Sequence, residues 1–125
     1  MVDLLYPKLS YLIVGKLYEV YNELSFGHKE KVYQKAFAEL LSEVKIPYKR
    51  ELYFPILFKE KVMSKYYFDF LINDKIIVEL KVANDFYQKD INQLLSYFKH
   101  KGYKLGILAI FTKDRLKYKR IANSR

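Results

Sequence analysis

Residues 76–81 read Ile76-Ile77-Val78-Glu79-Leu80-Lys81, an apolar, strand-like run with an acid and a base set inside it. Two-residue alternation puts Ile77, Glu79 and Lys81 on one face and Ile76, Val78 and Leu80 on the other. Charged side chains enter a core only when they are paired or bind a cation, because removing their water costs several kcal/mol. Any fold for this chain must therefore give those charges partners while keeping the other flank dry.

The preceding run, Lys65-Tyr66-Tyr67-Phe68-Asp69-Phe70-Leu71-Ile72, is aromatic and branched, and Asn73-Asp74-Lys75 separates it from the next. The pair reads as an antiparallel hairpin. A two-residue loop would set Phe70 against Ile77 and Asp69 against Val78. A three-residue loop sets Phe68, Phe70 and Ile72 against Leu80, Val78 and Ile76 as one apolar face, and lands Asp69 opposite Glu79. The apolar pattern selects the second register. Two carboxylates facing each other across a ladder repel. A divalent cation between them reverses that sign, and oxygen donors suit magnesium or manganese. The competing reading is a solvent-facing strand whose acids pair with Lys81 and Lys75.

Upstream, apolar residues at Leu9, Leu12, Ile13, Leu17, Val20, Tyr21 and Leu24 have the three-and-four spacing of an amphipathic helix over Asp3 to Leu24, with Pro7 in its first turn. Ser25-Phe26-Gly27 breaks it, Gly27 being the expected left-handed stop. A second helix is predicted from Lys29 to Val44, closed by Pro47. Tyr48 to Phe58 is a strand that Pro55 confines to an edge or breaks, followed by a turn at Lys59-Glu60-Lys61. After the hairpin and a loop over Val82 to Phe86, Tyr87 to Lys101 reads as a third helix burying Ile91, Leu94, Leu95 and Phe98 and ending at Gly102. Leu105 to Phe111 is apolar enough for a central strand covered on both faces, and Leu116 to Ile121 is a last short strand. Strand, helix, strand from Glu79 through Phe111 implies a parallel pair with a right-handed crossover.

At 125 residues the chain is expected to form a single domain, 1–125, around one core. Its 23 Lys and Arg against 14 Asp and Glu leave +9, so a polyanion is the expected partner class. There is no cysteine, which removes disulfide and thiolate chemistry and suits a reducing, cytoplasmic setting. The apolar stretch Leu9 to Val14 is short, interrupted by Ser10 and flanked by Asp3 and Lys8, so neither a signal sequence nor a membrane span is expected.

Asp69, followed ten residues later by Glu79-Leu80-Lys81, resembles the acid, acid-x-lysine core of the PD-(D/E)XK nuclease superfamily, although no proline precedes Asp69. Gly27-His28-Lys29-Glu30-Lys31-Val32-Tyr33 further resembles the GxxExxY signature of a small family within it. Glu19-Val20, Glu23-Leu24, Ala36, Glu39-Leu40, Gln93-Leu94-Leu95-Ser96-Tyr97 and Gly106 extend that resemblance in order over roughly residues 12 to 121. It departs at Ser25 and Phe26, where the family has a leucine-glycine-proline-glycine break, and at Tyr21, where histidine is common.

The resemblance implies an α/β, restriction-endonuclease-like fold: two N-terminal helices, a mixed central sheet whose hairpin carries the site, and a βαβ crossover. It implies a metal-dependent nuclease in which Asp69, Glu79 and the Leu80 carbonyl hold magnesium or manganese and Lys81 orients the attacking water. Glu30 would bring a further acid toward the metal, and Gln93 would face the site. Tyr33 would pack its ring in the core and use its hydroxyl to hold a site residue. Read without the resemblance, Glu30 and Glu19 are solvated helix acids, Glu30 helped by the helix dipole, and Gln93 is a half-buried surface residue.

Lys113, Arg115, Lys117, Lys119, Arg120 and Arg125 make a dense basic end, with Tyr97, Tyr103 and Tyr118 interleaved or nearby. Such a run is either a solvated face or a surface for phosphates and bases. His28 and His100 lack the clustered partners of a zinc site. The expected substrate is nucleic acid, DNA ahead of RNA, with a homodimer expected for gripping a duplex. Two other classes stay open: a non-catalytic nucleic-acid-binding module on the same fold, and a regulatory protein whose basic surface meets an acidic partner.

Overall fold

The computed structural model describes residues 6–123; Asp3 and Arg125 lie outside the described residues. Three helices and five strands follow in the order α1 (Pro7–Leu24), α2 (Glu30–Glu43), β1 (Tyr48–Phe58), β2 (Lys61–Ile72), β3 (Ile76–Val82), α3 (Gln88–Lys101), β4 (Leu105–Phe111) and β5 (Leu116–Ala122). The strands form one sheet in chain order, antiparallel except for β3 against β4, whose parallel pairing α3 makes possible by returning the chain to the same end.

The sheet separates two layers of core. On one face α1 and α2 bury Ile13, Leu17, Tyr33 and Phe37 against Phe70, Ile76, Val78 and Leu80. On the other, α3 buries Leu94, Tyr97 and Phe98 against Ile77, Leu108 and Ile110. Alternation along β3 thus divides its side chains between the layers as expected, and β4 is buried from end to end. No helix among the described residues is long and apolar enough to cross a membrane.

Several local expectations are corrected. Ser25, with φ 61°, is the left-handed residue that stops α1, its N–H donating to the Tyr21 carbonyl at 2.8 Å; Gly27, two residues on, has φ 120°. The Tyr33 hydroxyl donates to the Ser25 carbonyl at 2.7 Å and accepts the His28 N–H at 3.2 Å, so it ties down the interhelix loop, not a site residue. In α3 the buried face holds Tyr97, while Leu95 is exposed and Ile91 only half-buried. Gly102, with φ 79°, ends that helix. Gly106 faces α3 so closely that a Cβ would lie 2.9 Å from Phe98 Cζ, which fixes the distance between helix and sheet.

β1 is an edge strand, which explains how Pro55 is tolerated, and it is bulged between Ile56 and Leu57. Its partner β2 begins at Lys61, four residues before the expected strand, because Lys59 and Glu60 alone make the turn, with φ 50° and 68°.

The main departure from simple alternation is at Asp69. Phe70 and Ile72 pack in the α1/α2 layer, yet Phe68 packs in the α3 layer with its ring 4.7 Å from that of Tyr97. Phe68 therefore does not continue the apolar face of Phe70 and Ile72. Across the ladder the pairing passes from Arg50↔Phe70 to Leu52↔Phe68, and the residue between, Glu51, has φ 53°. A left-handed residue inside a strand kinks it, and both strands exchange faces at that kink.

Candidate active site

The three-residue loop Asn73-Asp74-Lys75 sets the expected register, with Ile72 opposite Ile76, Leu71 opposite Ile77 and Phe70 opposite Val78. There the β2–β3 ladder ends. The kink carries β2 away from β3, and the backbone groups beyond it need other partners. Carboxylates supply them: the Asp69 N–H donates to Glu79 Oε1 at 2.6 Å, and the Leu80 N–H donates to Asp69 Oδ2 at 2.8 Å. Two strand positions on, the Val82 N–H donates to Glu30 Oε2 at 3.1 Å. A strand residue turns its N–H and C=O to the same edge. The Leu80 carbonyl therefore opens on the edge whose neighbouring N–H groups are taken by Asp69 and Glu30.

Glu79 is almost wholly buried, 3% exposed, and its Oε2 accepts the Tyr66 hydroxyl at 2.8 Å. Burial, and then the charge of Asp69, push its carboxyl above the ordinary range, against the pull of Lys81, the Asp69 N–H and Tyr66. Burial likewise raises Asp69, against the Leu80 N–H and Lys81. Lys81 Nζ stands 3.7 Å from Glu79 Oε2 and 3.9 Å from Asp90 Oδ1 at the start of α3. Burial works to lower its pKa, but Glu79, Asp90, Asp69 and Glu30 outweigh it and hold the amine charged. Tyr66 stays a neutral donor, raised by burial and by the Glu79 charge.

Asp69, Glu79, Leu80, Lys81 and Glu30 are thus assembled at the opened edge of β3. Gln93 lies half-buried on α3, and its side chain makes no hydrogen bond among the described residues. Asp90, one turn earlier, reaches Lys81 instead. Tyr66 and Asp90 are the participants sequence reasoning missed. Regular alternation from Phe70 assigns Tyr66 to the wrong face, and Asp90 reads as an ordinary first-turn acid. The signal available for Asp90 was its place in the turn that follows a strand bearing a lysine.

The donor chemistry fits a hard divalent cation: carboxylate oxygens of Asp69 and Glu79 with the Leu80 carbonyl. Oδ1 of Asp69 accepts no hydrogen bond among the described residues. No three acidic, histidine or cysteine side chains among the described residues form a ready cluster. A donor set at this edge would have to include the Leu80 backbone carbonyl, and Glu30 is occupied one step along the edge.

The basic end does not form one surface. Lys113 and Arg115 sit in the turn after β4, at the sheet end that also carries Lys81 and Val82. Lys117 pairs with Asp85 at 3.6 Å and Lys119 lies 4.9 Å above the Phe86 ring, both against the loop after β3. Arg120 turns to the opposite face and donates to Ser10 Oγ of α1 at 3.0 Å. Tyr97 is buried in the core and stacks on Tyr103, 5.6 Å between centroids. His28 and His100 each hydrogen-bond a helical carbonyl, Leu24 and Ser96.

No curated protein matches this chain in sequence. Among solved structures, the crystal structure of SSO0001 superposes with a TM-score of 0.57 at 18% identity, covering 92% of this chain and 77% of the other, a likeness of fold. A family model of the PD-(D/E)XK nuclease superfamily matches residues 7–121, a span that includes both helices before the sheet, the opened edge of β3 and the last strand. A restriction-endonuclease-like α/β fold and a near-complete family match together make the chain a member of the PD-(D/E)XK nuclease superfamily.

Proposed function

We propose that this protein, a GxxExxY-type member of the superfamily, is a magnesium- or manganese-dependent nuclease that hydrolyses phosphodiester bonds of nucleic acid, DNA in preference to RNA. The observation that carries the reading is the opened β3 edge, where Asp69 and Glu79 hold each other's strand by carboxylate-to-backbone hydrogen bonds with Lys81 beside them. Asp69, Glu79 and the Leu80 carbonyl would hold the ion. When bound, it would polarise the phosphodiester and lower the pKa of a water molecule.

The chain's own residues do the rest. Lys81, kept charged by four acids, stabilises the negative charge that builds on the phosphoryl oxygens and orients the attacking water. An amine held in that state is not the proton acceptor. Tyr66 fixes the rotamer of Glu79, and Asp90 holds the amine from the side away from the sheet. Glu30 supports the edge at Val82 and would serve a further ion, and Gln93 of α3 would face the water or a phosphate. Lys113 and Arg115, at the same end of the sheet, receive the flanking phosphates.

Labelled single-stranded and duplex DNA and RNA, incubated with magnesium, with manganese and with chelator, test this directly. Cleavage with either metal and none in chelator is the expected result. Salt-sensitive binding without turnover in either metal would select the non-catalytic binding module. An Asp69→Ala protein that cuts as well as the parent would overturn the site.

A further inference from the structure

Beyond Phe70, β2 leaves β3 and pairs with β1 alone, so residues 52–58 and 61–68 form a two-stranded ribbon rooted at Asp69. One side of the ribbon is committed: Leu52, Phe54, Tyr66 and Phe68 pack in the α3 layer. Alternation turns Tyr53, Lys65 and Tyr67 to the other side. Tyr53 and Tyr67 are direct cross-strand partners with ring centroids 5.4 Å apart, and they are 44% and 51% exposed. Neither hydroxyl has a protein partner among the described residues. The fold itself makes no further use of these two rings.

Their position gives them one. Tyr67 stands two residues before Asp69, about 7 Å along the strand and just outside the kink at which the faces exchange, and Lys65 is one period further out on the face of Tyr67, paired with Pro55. A cation, paired aromatic rings and a metal-binding acid thus follow one another over about 13 Å of strand, a path longer than one nucleotide step, along which an extended single strand can meet them in order with a phosphate, its bases and a later phosphate. Aromatic side chains stack on unpaired bases regardless of sequence, whereas the bases of a duplex keep their faces to themselves. A second copy of this chain is the less fitting occupant: the ribbon carries Lys59, Lys61 and Lys65 against Glu60, and a two-fold contact would set lysines near lysines. A polyanion reverses that repulsion.

We propose that Tyr53 and Tyr67 form a base-stacking platform for single-stranded nucleic acid, with Lys65 on its backbone, and that the platform delivers an unpaired strand to Asp69. The substrate class is therefore a single strand or the unpaired segment of a branched duplex. What happens to the strand at Asp69 rests on the nuclease reading; the binding does not.

Fluorescence anisotropy on the intact protein in chelator, where nothing is cut, tests the platform. The probes are a labelled oligothymidine, a duplex of equal length and an abasic strand of equal length. Oligothymidine is expected to bind tighter than duplex, and the double variant Tyr53→Ala/Tyr67→Ala is expected to lose at least about tenfold in affinity for it. Tyr53→Phe/Tyr67→Phe, which keeps both rings, retains the affinity, and the abasic strand binds the parent no better than oligothymidine binds the alanine variant. Equal binding of oligothymidine by parent and alanine variant overturns the proposal, as does equal binding of abasic and normal strands by the parent. A parent that sediments as a dimer while the alanine variant is monomeric also overturns it, assigning the ribbon to self-association. The two readings fail separately. A parent that never cuts in manganese yet loses oligothymidine binding on tyrosine removal keeps the platform and ends the nuclease; one that cuts, with unchanged binding and cutting in the variant, does the reverse.

Discussion

Asp69 and Glu79 exchange side chain for backbone: the Glu79 carboxylate accepts the Asp69 N–H at 2.6 Å, while the Asp69 carboxylate accepts the N–H of Leu80, the residue after Glu79, at 2.8 Å. Each acid thereby takes the place of a ladder bond where β2 and β3 part, and each is fixed by the strand opposite. Asp69→Asn and Glu79→Gln keep the shape of those contacts but remove the charge that a cation needs. Each is expected to lower metal-dependent cleavage by at least about a hundredfold, or about 2.7 kcal/mol of transition-state stabilisation. Binding of nucleic acid in chelator should stay within about twofold. Cleavage and binding measured on the same preparations check both halves.

Ionisation of these carboxyls opposes folding when no metal is present. Both have folded pKa values above the ordinary carboxylate range, by burial first and, for Glu79, by its neighbour's charge. The native state then holds more protons than the unfolded chain over that interval, so native stability is lost as pH rises from about 4. In chelator the thermal midpoint is expected to fall between weakly acid and neutral pH. Magnesium or manganese, which bind the ionised carboxylates, should raise the midpoint more at pH 8 than at pH 5; a metal effect independent of pH would contradict the assignment.

Tyr66→Phe removes the hydroxyl that donates to Glu79 Oε2 and nothing from the packing of the ring. A hydrogen bond to an ionised group contributes about 1.5–3 kcal/mol. The variant is expected to need more metal for half-maximal activity and to shift its activity profile to higher pH, since Glu79 loses a group that favours its charged form. Metal titrations at several pH values read both effects.

Asp90→Asn releases one side of Lys81. The pair spans 3.9 Å and is partly exposed, so its contribution to stability is under about 1 kcal/mol. Its effect on turnover should be larger, about tenfold, because a misplaced ammonium no longer meets the charge that develops in the reaction. Comparing the thermal midpoint with the rate at saturating substrate separates the two.

Gly106→Ala places a methyl 2.9 Å from Phe98 Cζ and 3.4 Å from Leu94 Cδ2, between α3 and the sheet. Overpacking of this kind costs about 1–3 kcal/mol. Urea denaturation should show a lower midpoint with an unchanged slope.

The amino-acid sequence by itself determined the element order, the three-residue hairpin register that brings Asp69 beside Glu79, the buried central strand and the acid, acid-x-lysine set. All of these follow from local periodicity, turn length and charge. Only the tertiary structure decided where the regularity stops. Glu51 and Asp69 kink their strands together, which moves Phe68 and Tyr66 to the α3 layer, opens the edge at Leu80 and lets Glu30 reach Val82 from the far helix. It also divided the basic end between two faces and put Asp90 on Lys81. Alternation is a property of an unbroken strand, whereas a kink forms where a divergent backbone and carboxylates from distant positions satisfy one another. That balance exists only once the layers are packed.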